Sequence, residues 1–186
     1  MAVCLTSGKA PLWGLFLLAL FLFSAGLYGA DRPPQAAIAS AHPLATEAGF
    51  EVLHAGGNAF DAAVAVSAAL AVVEPYSSGL GGGGFWLLHR AADGRQVMLD
   101  GRERAPLAAH RDMYLGADGS VVPAASVDGP LSAGIPGEPA ALAHLAQHYG
   151  RLPRTRSLAP AIRLARDGFP LDLHYLRLAA FRQSAL

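Results

Sequence analysis

Glu74 to Pro106 reads EPYSSGLGGGGFWLLHRAADGRQVMLDGRERAP, and its three parts decide the fold. Glycines at 79, 81, 82, 83 and 84 follow Glu74-Pro75, two apolar runs come next, and the charged cluster Asp100, Arg102, Glu103 and Arg104 closes the stretch. Phe85 to Arg90 (FWLLHR) carries aromatic and long apolar residues over a strand's length, and Asp93-Gly94 is a tight-turn pair in front of QVMLD. That pattern predicts a β-hairpin. Beyond Asp100, the loop Gly101-Arg102-Glu103-Arg104-Ala105 is closed by Pro106. Loops at strand ends often carry binding residues on a rigid scaffold. Local ion pairs in a solvated loop account for the same charges equally well.

The glycine run contains Gly79-x-Gly81-x-x-Gly84, the spacing of dinucleotide-binding turns. That motif needs a strand before it and a helix after it, so that the helix N-terminus meets the pyrophosphate. Here the order is reversed, which argues against a nucleotide site. The glycines are instead expected to supply positive φ or very close backbone approach, which only glycine does cheaply.

Upstream, Ala36 to Ser40 (AAIAS) is a short apolar run expected to form a strand. His42-Pro43 introduces a helix, LATEAGFEVLHA, whose Leu44, Ala48, Val52 and Ala55 share one face and which Gly56-Gly57 stops. Asn58 is a good N-cap for the next helix, with Asp61 three residues on where free backbone N–H groups point. The body of that helix, AFDAAVAVSAALAVVE, is apolar nearly all round, so it is expected to be buried between layers. Downstream, Asp118 to Pro139 is rich in Gly, Pro, Ser and Asp and reads as turns. Helices are predicted from Pro139 to Tyr149, from Ser157 to Arg166, and in the closing segment LDLHYLRLAAFRQSAL.

The chain has 186 residues, is 53% hydrophobic and 15% charged, and carries a formal net charge of +0. It is long enough for one domain with a real core. With no basic block, it offers no footprint for nucleic acid or an anionic membrane surface. Residues 1–30 differ in composition: Lys9 flanks the apolar run Leu12 to Phe23, and small residues follow. This is the pattern of an export signal, with cleavage after Gly26 favoured over cleavage after Ala30. The region from 31 to 186 is then expected in the periplasm or secreted. If the segment stays uncleaved, Pro11 to Ala30 is about long enough to anchor the protein in a bilayer. Cys4, the single cysteine, lies in the removed segment, which leaves no thiol for disulfides, nucleophilic catalysis or metal binding.

Few residues suggest chemistry on their own. His144 and His148 stand four apart on a predicted helix, but HLAQH lacks the glutamate of metalloprotease chemistry and no third ligand is evident, so surface histidines are expected and no metal site. Ser77-Ser78 is not a Gly-x-Ser-x-Gly elbow, because the glycine on the amino side is missing. No nucleophile and base pair emerges.

Taken together, HPLATEAGFEVLHAGGNAFDAAVAVSAALAVVEP, SSGLGGGGF, DGRERAP, GIPGEPAAL and APAIRLARDGFPLD closely resemble the large-subunit region of γ-glutamyltranspeptidases, without a break from about Ala37 to Asp172. The resemblance implies an α+β fold: part of the αββα sandwich of N-terminal-nucleophile hydrolases, incomplete without the small subunit. It also implies a precursor that cuts itself in two. The new terminal threonine of the small subunit attacks the γ-carbonyl of a donor such as glutathione, and water, an amino acid or a peptide receives the glutamyl group. The arginine of the family's Arg-Glu-x-Ala-Pro motif, which holds the donor's α-carboxylate, corresponds to Arg102. Glu103 is expected to orient that arginine or its loop, and Arg104 occupies a variable position. No cofactor or metal is implied. The threonine nucleophile lies outside this chain, which is expected to be a truncated N-terminal portion of the large subunit, partnered by the small subunit and inactive alone. Two other readings stand beside this one: a glutaryl β-lactam acylase of the same family, and a non-catalytic secreted binding remnant.

Overall fold

In a computed structural model of the chain, residues 36–183 are described. The export segment and its cleavage positions lie outside them. The unit that begins at Ile38 is built around one helix. Its elements are α1 (Pro43–His54), α2 (Ala59–Val73), the single turn α3 (Pro75–Ser78), β1 (Gly84–Arg90), β2 (Arg95–Gly101), α4 (Glu138–His148), α5 (Arg154–Asp167) and α6 (Leu173–Ala180), with a 3-10 turn at Pro130–Ser132.

α2 is central because its small apolar residues let other helices approach on several sides. Ala62, Val64, Ala65, Ala68, Ala69 and Val73 are buried, and α1, α4 and α5 pack around them. On α1, a Cβ at Gly49 would lie 2.8 Å from Val66 Cγ2, so glycine sets the closeness of the α1–α2 crossing. The start of α2 is tied down by a reciprocal cap. Asn58 Oδ1 accepts from the backbone N–H of Phe60 and Asp61, and Asp61 Oδ2 accepts from Asn58 N at 2.9 Å.

The cap also reaches across the fold. Asp61, fully buried, accepts from Arg151 N at 2.8 Å, Leu152 N at 3.3 Å and Ser157 Oγ at 3.4 Å, while Asn58 Nδ2 donates to Tyr149 O at 2.8 Å. One carboxylate thus satisfies three backbone N–H groups and pins the α4–α5 connection to α2. Asp61→Ala is expected to destabilise the protein by ~3–5 kcal/mol, because those donors stay buried without an acceptor. Chemical denaturation of the two proteins checks this; a loss below about 1 kcal/mol would mean water replaces the carboxylate.

β1 and β2 pair antiparallel in a two-stranded sheet, with Gly84 opposite Gly101 and Arg90 opposite Arg95. The connection is the four residues Ala91 to Gly94, with Gly94 at φ +68° and an Arg90–Asp93 ion pair across it. The Arg90 guanidinium holds the Asp93 carboxyl down at about 2. Leu88 is buried, and Trp86, Val97 and Leu99 pack against the helical core, Trp86 Nε1 donating to Ser67 Oγ at 3.4 Å. The opposite face holds Phe85, Leu87 and Met98, which are 60%, 70% and 58% exposed. A sheet with one face on helices and an apolar outer face is half of a layered sandwich.

Three expectations need correction. Ala36 to Ser40 forms no strand: it is irregular chain in which Ser40 Oγ bonds Thr46 Oγ1 at 2.7 Å near the start of α1. A run of five residues, four of them apolar, cannot distinguish strand from packed coil. α5 starts at Arg154 rather than Ser157, since Pro153, extended at φ −56° and ψ 137°, serves as its N-cap position. None of the glycines from 79 to 84 has positive φ, so that part of their predicted role is absent; close backbone approach is what Gly79 and Gly83 provide.

Candidate active site

The Arg102 loop is held from both sides by glycine. A Cβ on Gly83 would fall 2.2 Å from Gly101 O, and one on Gly137 would fall 2.1 Å from the same atom. The Gly101 carbonyl therefore sits between the glycine run and the start of α4. Gly82 O accepts from Gly137 N at 3.1 Å and from Glu138 N at 3.2 Å, joining the two segments directly. The loop is further clamped by Arg102 N donating to Asp100 Oδ1 at 3.0 Å and by a two-bond bridge between Arg104 and Ile135. Sequence order explains the arrangement: the glycines precede β1, the loop leaves β2, and antiparallel pairing brings the two ends together.

On this clamped backbone, the Arg102 side chain is 59% exposed and lies 3.2 Å from Glu103 Oε1 through its Nη2. Glu103 Oε2 is buried and has no hydrogen-bond partner. Arg102 lines two adjoining hollows. One, of about 370 Å³, is formed by α3, the glycine run, Arg102, Glu103 and Glu138. The other, of about 290 Å³, includes Asp100, Arg104, Ile135 and His144. A guanidinium presented this way can take a carboxylate through two parallel charge-assisted hydrogen bonds.

Glu138 was not anticipated from the sequence. It opens α4 and is only 6% exposed, and burial pushes its carboxyl from 4.5 up to about 7. Nothing in Gly137-Glu138-Pro139 announces this, since an acid in a first helical turn is ordinarily exposed. Between pH 4.5 and 7 the folded protein keeps a proton that the unfolded chain has released, so stability falls as pH rises through that window and levels off above it. The total loss is of order 3 kcal/mol. Melting temperatures from pH 4.5 to 8, with Glu138→Gln showing a flatter profile, would check it; parallel profiles would count against it.

His144 and His148 are exposed, with ring centroids 4.2 Å apart, and among the described residues no group of three or more His, Cys, Asp or Glu is placed to hold a metal ion.

A family model described as Gamma-glutamyltranspeptidase matches residues 45–186. The chain belongs to the γ-glutamyltranspeptidase family. It is 43% identical over 171 residues to the glutathione hydrolase proenzyme of Pseudomonas sp. (strain A14), covering 90% of this chain and 29% of that relative. The crystal structure of Helicobacter pylori γ-glutamyltranspeptidase superposes with a TM-score of 0.74 at 42% identity, covering 82% of this chain and 44% of that one. Cephalosporin acylase from Bacillus halodurans superposes with a TM-score of 0.65 at 30% identity, over 86% of this chain and 32% of that one. The described region is accordingly an incomplete α+β part of the N-terminal-nucleophile hydrolase fold. The γ-glutamyltranspeptidase relatives are two to four times longer than the stretch this chain matches.

Proposed function

We propose that this chain supplies the donor-carboxylate side of a γ-glutamyl transfer site. Arg102 takes the α-carboxylate of a γ-glutamyl donor such as glutathione, and Glu103 holds the guanidinium in place through Oε1. The nucleophile is a threonine at the start of the small subunit, released by self-cleavage of a common precursor, with its own α-amine as base. It forms a γ-glutamyl ester, which water, an amino acid or a peptide then resolves. The open face of Phe85, Leu87 and Met98 is where the rest of the sandwich joins this part. The apolar run from Leu12 to Phe23 supports export of the whole protein.

The observation that carries this reading is the clamped backbone of the Arg102 loop with its guanidinium exposed at the hollow. A rigidly held cation fixes the register of a small anionic substrate as well as its charge. The test is turnover of a γ-glutamyl anilide by the full-length protein, with glutathione as competitor and glutaryl-7-aminocephalosporanic acid as the rival substrate. Anilide release suppressed by glutathione supports the reading. Faster turnover of the glutaryl β-lactam would move the protein to the acylase side of the family, and no turnover of either would leave a binding remnant.

A further inference from the structure

Donor binding as proposed above uses Arg102 and the larger hollow. The second hollow, of about 290 Å³, adjoins it at Arg102 and has no part in that reading. Leu99, Ile135 and Pro136 give it an apolar wall, and a second guanidinium, Arg104, lines it beside the first. Arg104 N donates to Ile135 O at 3.1 Å, and Arg104 O accepts from Ile135 N at 2.7 Å. Its backbone is thus pinned, and only its exposed side chain is free to meet a ligand. Among the described residues Arg104 forms no ion pair, whereas Arg102 is paired with Glu103. Asp100 also lines the hollow, with its Oδ1 already accepting from Arg102 N. That carboxylate disfavours a polyanion such as phosphate, and the apolar wall favours a small molecule with one carboxylate and some hydrocarbon. Arg102 and Arg104 are two residues apart, so their Cα atoms are separated by at most ~7 Å. Two guanidiniums on long stems at that spacing can hold the two ends of one short molecule.

We propose that Arg104 receives the terminal carboxylate of the peptide released from a donor such as glutathione, and then that of the amino acid or peptide that takes its place as acceptor. This rests on the donor-site reading above. In the transfer step the acceptor's neutral amine nitrogen bonds to the γ-carbonyl carbon of the glutamyl ester. The bond from that carbon to the threonine oxygen breaks, and a proton passes from the amine to that oxygen. An acceptor held by its far carboxylate in the second hollow keeps its amine beside the donor hollow, which favours aminolysis over attack by water.

Glycylglycine and glycylglycinamide differ only in the terminal carboxylate, and as acceptors for a γ-glutamyl anilide they test this on the full-length protein. Arg104→Ala is expected to lower the preference for the free acid, read as the ratio of the two transfer kcat/KM values, by ~5–30-fold, the range for a charge-assisted contact at an exposed guanidinium. The preference for glutathione over the anilide as donor should fall alike, since only the leaving group of glutathione ends in a carboxylate. Arg104→Lys should recover part of both ratios. Each ratio is taken within one protein, so a smaller folded fraction cancels, and a residue that merely supports the loop moves neither. A ratio unmoved in either arm overturns the shared subsite. If the unaltered protein turns over no γ-glutamyl donor, the transfer reading fails on its own. Calorimetric titration with the two dipeptides then decides: a preference for the free acid that Arg104→Ala removes supports the carboxylate subsite, and absence of any preference overturns it.

Discussion

Arg102→Ala in the full-length protein is expected to raise the donor KM by ~30- to ~900-fold, the equivalent of ~2–4 kcal/mol, with a much smaller change in kcat. The donor's α-carboxylate is remote from the bond that breaks, so its contact with arginine is the same in ground and transition states and appears in KM. The magnitude follows from two parallel charge-assisted bonds, reduced because the free guanidinium is more than half exposed and already hydrated. Arg102→Lys should recover only part of the loss, since an ammonium restores the charge without the planar fork. Steady-state kinetics with the γ-glutamyl anilide distinguishes these cases. A donor KM unchanged in Arg102→Ala would remove the arginine from the site.

Gly83→Ala should be nearly as damaging, although alanine touches no substrate. Its Cβ would lie 2.2 Å from Gly101 O, 2.7 Å from Glu103 N and 2.8 Å from Arg102 Cα, all of them backbone atoms. No side chain can swing aside, so the loop itself must move, and Gly137 is packed so closely on the same carbonyl that a Cβ there would fall 2.1 Å from Gly101 O. Overpacking of this kind costs ~2–4 kcal/mol, and displacement of the arginine by about 1 Å is expected to lower donor kcat/KM by ~100-fold. Gly81→Ala is the matched control, because its Cβ meets nothing within 4 Å and its φ is not positive. Denaturation midpoints and donor kinetics of the pair test the arrangement. If the two alanines behave alike, the carbonyl between Gly83 and Gly137 does not set the position of the Arg102 loop.

The wider lesson lies in which features were local. The hairpin, the stop at Gly56-Gly57 and the cap of Asn58 with Asp61 all follow from residues within a few positions of one another, and the structure contains each of them. The start of α5 shifted by three residues because Pro153 competes with Ser157 as its boundary. The glycine run was legible as a backbone device, but its kind of constraint was not. Whether a glycine is needed for its φ or for a neighbour's approach depends on an atom some twenty residues away, here Gly101 O.

By itself, the sequence determined the order of the main helices and the hairpin and the all-round apolar helix that becomes the centre of the core, since these rest on periodicity and capping along one chain; the family was legible through the resemblance of its motifs taken together. Only the tertiary structure decided which charges share a hollow. Antiparallel pairing folds the Arg102 loop back onto the glycine run, and the Asp61 clamp fixes the connection that follows α4, the helix on which Glu138 sits. Burial then turns that glutamate from an ordinary helix-start acid into one poised near neutrality. A desolvation penalty depends on every surface that closes over a group, and residues far apart in the chain supply those surfaces.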